Sequence, residues 1–150
     1  MSGPNVMPVG SEIELEDLVD LGIGGFRLIN ASGGPIDYAT PCYVDSAGQV
    51  RLSKSDGTQV EATAEVISID GTPIADGASG IFGGPGTVVT LAGTAGSRGF
   101  ITATPGVIGA CPTADGSYIT DAGVFVDDGA GGTNFLFKPA LPAGPILTPP

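Results

Sequence analysis

Few residues in this chain have types and spacings that could do chemistry. Asp127-Asp128-Gly129, with Asp121 earlier in the same run, has the make-up of a calcium loop, since hard cations take carboxylate and carbonyl oxygens from loops. EF-hand spacing is absent, and the GGPGTV stretch at Gly83 lacks the Asp of a nonapeptide calcium repeat, so these acids read as a surface turn and no metal is expected. GIGGFR, residues 22–27, is half of a dinucleotide fingerprint, but Arg27 stands where the third glycine is needed. GIFGGPGT, residues 80–87, looks like a phosphate loop without the lysine that would reach a phosphate. Both read as turns. The chain contains no histidine, which removes Ser-His-Asp and Cys-His nucleophiles and every His-ligated metal site together. Paired carboxylates exist in any acidic chain, and nothing singles out a pair. No catalytic residue and no cofactor is expected, and the chain reads as a non-enzyme.

The two cysteines, Cys42 and Cys111, read as small hydrophobes rather than as a bridge. Sixteen acids against five bases give a formal charge of -11, with Arg27, Arg51, Lys54, Arg98 and Lys138 mostly isolated from one another. Neutralising phosphates takes clustered bases, so nucleic acid is not an expected partner. No apolar run is long enough to span a bilayer, and MSGPNVMPVGSEIELED has neither the basic nor the apolar region of a signal peptide. No membrane partner is expected.

The elements that must position these residues are strands. Glycine and proline supply 39 of 150 residues, yet 41% of the chain is hydrophobic, which favours turn chemistry in an all-β fold over disorder. FRLIN (26–30), PCYVD (41–45), QVRLS (49–53), AEVISI (64–69), TVVTLA (87–92), GFITA (99–103), GVFV (123–126) and NFLFK (134–138) are short β-branched or aromatic runs, separated by Gly-rich and Asp-Gly turns. That rhythm predicts an antiparallel β-sandwich or small β-barrel. Residues 1–24 read as an N-terminal arm. Within it, Ser11 and Glu14 form a capping-box pattern for a short helix, while the alternation of Ile13 and Leu15 with Glu12, Glu14 and Glu16 suits an edge strand as well. Residues 25–138 form the β domain, and residues 139–150, with five prolines, an extended Pro-rich tail.

The β domain writes one pattern twice. CYVDSAGQV from Cys42 and GFITATPGVI from Gly99 share an aromatic residue at Tyr43 and Phe100, a β-branched residue, small polar residues, a glycine, and then Val50 or Ile108, with one extra residue in the later copy. Continuing, Asp56-Gly57 matches Asp115-Gly116, Val60 matches Ile119, and Val66 matches Val124. The repeat predicts two related strand-turn-strand units packed face to face. Tyr43, Val44, Val66, Phe100, Ile101, Val124 and Phe125 are the predicted core, and Gly57 and Gly116 should both take positive φ in hairpin turns.

The stretch YATPCYVDSAGQV followed by AEVISIDGTPIADGASGIFGGPGTVVTLAGTAGSRGFITATPGVI resembles the small capsid decoration, or cement, proteins of tailed bacteriophages. The elements that carry the likeness map onto Ala39 to Val50, Gly71 to Gly80, Gly86 to Val89 and Ala95 to Ile101. The resemblance covers residues 25–138 and leaves out both ends. It implies a β-rich homotrimer, made in the host bacterial cytoplasm, that sits on the outer surface of an icosahedral head, binds the major capsid protein and stabilises the expanded shell. The alternative is another virion component such as a tail, fibre or host-surface-binding module. With no Trp and only Tyr38, Tyr43 and Tyr118, the chain is poor in the aromatic platforms that glycan binding uses. Partner contacts are expected on the arm, through apolar Val6, Met7, Val9, Ile13 and Leu15 and acidic Glu12, Glu14, Glu16 and Asp17.

Overall fold

The computed structural model describes residues 25–147. It is almost entirely β: β1 (Phe26–Ile29), β2 (Pro41–Val44), β3 (Val50–Leu52), β4 (Val66–Ser68), β5 (Ser79–Gly83), β6 (Val88–Thr90), β7 (Arg98–Ile101), β8 (Ile108–Gly109), β9 (Asp121–Asp127) and β10 (Thr133–Phe137), with one helical turn, α1 (Gln59–Ala62). Two antiparallel five-stranded sheets result. Their orders are β1-β5-β4-β2-β3 and β6-β10-β9-β7-β8, so each half of the described chain lays down its five strands in the same spatial order.

The repeat read from sequence holds at the level of register. Tyr43 faces Arg51 and Val44 faces Val50 in the first sheet; Phe100 faces Gly109 and Ile101 faces Ile108 in the second. The turns between these strands match as well, with Gly48 at φ 77° and Gly106 at φ 74°. In the third strand the sequence match is one residue out. Cys42 faces Val66 where Gly99 faces Gly123, so the counterpart of Val124 is Ile67. A register shift between Gly99 and Phe100 supplies the slip, as an extra residue in one strand of a pair does.

Between those strands the copies part. Thr58 caps α1: its Oγ1 accepts from the Glu61 amide at 3.2 Å, and Glu61 Oε1 accepts from the Thr58 amide at 2.9 Å. This reciprocal pair satisfies two amides that a helix start leaves orphaned. Val60, matched with Ile119 in the repeat, is therefore on a helical turn and 59% exposed. Gly116 has φ 84°, but Gly57 is not at positive φ, because Asp56-Gly57 leads into a helix cap instead of a hairpin.

Sequence reading took all of 80–87 for a turn: the second half is one, with Gly86 at φ 95°, but Ser79–Gly83 form β5. Its glycines mark close approach, not a bend. A Cβ on Gly80 would collide with the Ile74 side chain, and one on Gly83 with Thr87. Phe82, between them, is fully buried.

The two sheets do not meet through equivalent faces. In the first, Cys42, Val50, Val66 and Phe82 form a core closed by Ile36 and Ile74, whose backbones exchange two 2.9 Å hydrogen bonds. The equivalent face of the second sheet, with Ile101, Phe125, Phe135 and Phe137, packs instead on the reverse of the first, against Ala39, Ala64 and Ile67. Loop length explains the difference. Residues 30–40 and 69–78 reach across the first sheet, while their counterparts 91–97 and 128–132 are shorter and leave the second sheet's face free to stack. Of the predicted core, Tyr43, Val66, Ile101 and Phe125 are buried, but Val44, Phe100 and Val124 are only partly so.

Polar bonds stitch the halves. Thr120 Oγ1 donates to the Ala62 carbonyl at 2.7 Å, the Ser55 amide to Thr102 O, and the Tyr118 amide to Ser55 O. The Ser55 hydroxyl itself is buried without a hydrogen-bond partner. Removing an unsatisfied polar atom relieves a desolvation cost of about 1–3 kcal/mol at the expense of a very small cavity. Ser55→Ala should therefore unfold in urea at the same or a higher midpoint; a drop of more than roughly 1 kcal/mol would show that the hydroxyl is satisfied.

Candidate docking surface

The chemistry-bearing residues are dispersed. Asp121 opens β9 and Asp127 closes it, which at a strand's rise of about 3.3 Å per residue sets them roughly 20 Å apart. They cannot share an ion. Each is engaged locally: Asp121 accepts from Arg98 Nε at 2.8 Å, Asp127 from the Gly129 amide at 2.8 Å, and Asp128 from the Ala130 and Gly132 amides at 2.7 and 3.0 Å. Among the described residues no three potential ligands converge.

Two shallow grooves lie at repeat-equivalent places, where the first strand of each sheet leaves it. One, of about 410 Å³, is lined by Thr90, Gly93, Asp128 and Gly132; the other, of about 440 Å³, by Ile29, Asn30, Asp76 and Gly77. Their carboxylates hold turns. Asp76 accepts from the Gly33 amide at 2.9 Å, and buried Asn30 donates to Gly34 O and Ile74 O at 2.8 Å each. Neither groove presents a free convergent group to a ligand.

Cys42 is fully buried and Cys111 exposed, and both are free thiols. Burial disfavours the thiolate and pushes Cys42 up to about 12. Because the thiolate is the nucleophile, a thiol-specific reagent at pH 8 should modify one equivalent, Cys111, in the native protein and two after unfolding. Two equivalents in the native state would show that the first sheet's core opens.

A larger feature is the outer face of the second sheet. Val88, Leu136 and Val124 stand side by side across β6, β10 and β9, and Val126 and Phe100 flank them. Val88 is 53% exposed and the other four are partly exposed. Arg98 continues the row, paired with Asp121, and Lys138 follows β10. The repeat-equivalent face of the first sheet, carrying Ile67, is the one that receives the second sheet. The same kind of surface thus recurs without a cover among the described residues.

Sequence reading overlooked this face because it expected one buried side per strand. The signal was present: GVFV and FLF are apolar at consecutive positions, the pattern of strands with contacts on both faces. The residues expected to bind a partner, Val6, Met7, Val9, Glu12, Ile13, Glu14, Leu15, Glu16 and Asp17, lie outside the described residues. Among the described residues no helix is long and apolar enough to cross a membrane. Comparison with protein-family models, curated proteins and solved structures finds no match to the chain.

Proposed function

We propose that this chain is a structural virion protein that binds the outer surface of a tailed-phage capsid through the major capsid protein, as a homotrimer, and stabilises the expanded head. The observation that carries the reading is the uncovered apolar face of the second sheet, formed by Val88, Leu136 and Val124 on a β domain whose sequence resembles the decoration proteins. An apolar sheet face with a charged rim suits protein contact better than catalysis. The acidic arm adds a second means of attachment, since an extended segment can cover a large area of a partner and add a strand to a sheet edge.

Co-sedimentation with empty expanded heads and with unexpanded proheads tests this. Binding to expanded heads is expected. Deleting residues 2–20 should leave the β domain folded and weaken attachment, as should raised salt, which screens exposed charge pairs beyond about 8–10 Å. Failure to bind either form of head would move the assignment to another virion component, such as a tail, fibre or host-surface-binding module.

A further inference from the structure

We propose that Asp56-Gly57 is a site of spontaneous backbone modification, at which the folded chain converts its own aspartate to isoaspartate. The reaction needs no enzyme and no bound group. The Gly57 amide nitrogen attacks the carbon of the protonated Asp56 carboxyl, a C–N bond forms, and the carboxyl hydroxyl leaves as water with the amide proton. Water then adds to the main-chain carbonyl of the resulting five-membered imide, and the C–N bond at that carbonyl breaks. The chain now runs through Cβ and Cγ, one atom longer, and the former main-chain carbonyl is the free acid. Glycine permits the attack because it has no side chain to keep the two groups apart.

The chain contains five Asp-Gly steps, at Asp56, Asp70, Asp76, Asp115 and Asp128. The fold ties four of them. Asp70 accepts from the Thr72 amide at 3.2 Å through one carboxylate oxygen and from the Ile81 amide at 3.3 Å through the other. Asp76 accepts from the Gly33 amide, and the Gly77 amide donates to Asn30 O at 2.7 Å. The Gly116 amide donates to Ile146 O at 2.7 Å. At Asp128 the carboxylate holds the Ala130 and Gly132 amides, while the Gly129 amide donates to Asp127. Such bonds stabilise the folded geometry, and they must break before the nitrogen and the carboxyl carbon can join. Among the described residues, Asp56-Gly57 is the one Asp-Gly step with neither group engaged: exposed Asp56 makes no hydrogen bond or ion pair, and the Gly57 amide has no acceptor.

Its place in the fold gives the modification a consequence. Ser55 carries two of the bonds that join the halves, to Thr102 and Tyr118, and Thr58 caps α1. An extra backbone atom between these two fixed points must displace one of them. The inference does not rest on the capsid reading.

Ageing the full chain at neutral pH, folded and in guanidinium chloride, tests it, with each linkage read by mass spectrometry under electron-transfer fragmentation. In the folded protein isoaspartate should accumulate at position 56 several-fold faster than at 70, 76, 115 or 128, and in denaturant the five rates should converge. No lead for position 56 in the folded protein would overturn the proposal. The same lead in denaturant would overturn it too, because the local sequence and not the fold would then be choosing the site. Asp56→Glu, which can close only a disfavoured six-membered ring, should fold normally and accumulate no modification there. Aged wild-type protein should unfold at a lower urea midpoint than fresh protein, and aged Asp56→Glu should not; equal losses in both would overturn the consequence for the seam.

Discussion

Gly123→Ala should be among the most damaging single-methyl changes in this protein. Gly123 sits inside β9 at φ 148°, and a Cβ there would run into the carbonyl oxygen of Leu136 on the neighbouring strand and crowd the Phe135 ring. An L-residue in that backbone region costs about 1–3 kcal/mol by itself. The clash adds to this, because the obstacle is paired backbone and cannot rotate away. The expected loss is on the order of 3 kcal/mol or more. Gly116→Ala provides the contrast: its φ is 84°, but nothing lies within 4 Å of a Cβ placed there, so only the left-handed backbone cost of about 1 kcal/mol applies. Urea unfolding of both variants checks the pair, and comparable losses would mean that β9 and β10 approach less closely at Gly123.

Phe135→Ala should cost about 3–5 kcal/mol, the range for deleting a fully buried aromatic ring. Phe135 is 0% exposed, packs on Phe125 with ring centroids 4.9 Å apart at 59°, and fills space that a Cβ on Gly99 would occupy. Its counterpart in the first sheet, Phe82, is equally buried. Phe100→Ala should cost under roughly 1.5 kcal/mol, because Phe100 lies on the outer face and keeps part of its ring in water. Equal losses at positions 100 and 135 would place Phe100 in the interior and reverse the assignment of faces in the second sheet.

Phe100 shows how far the sequence was legible. The repeat correctly matched Tyr43 with Phe100 and Val50 with Ile108, since strand pairing keeps aromatic and β-branched residues in register. It could not say which side of each sheet would be covered. That depended on loop length: Ile36 and Ile74 come from connections that extend over the first sheet and have no counterpart over the second. Tyr43, on the side of the first sheet away from Ile36 and Ile74, is buried, whereas Phe100, in the same place in its repeat, faces outward. Glycine misled in the other direction. In β5 it signals crowding by Ile74 and Thr87, and a turn-based reading took it for punctuation. The Thr58 to Glu61 capping box is present in the letters but went unread, because the repeat was aligned straight through Val60. The site expected from sequence falls on the leader, whereas the surface that the fold exposes is made of alternate residues in β6, β9 and β10, whose faces are set only once the sheets stack.

The tandem stacking gives the molecule a direction in time. The first sheet closes its own core with residues from within 28–82, all of which leave a ribosome before any strand of the second. The second sheet has no such closure: Phe125, Phe135 and Phe137 find their cover in Ala39, Ala64 and Ile67, made earlier in the chain. The residues that cover the second sheet's aromatic face are thus already made when that sheet is synthesised. A circular permutant that placed the second sheet first would have to hold an unclosed aromatic face in water until its cover emerged.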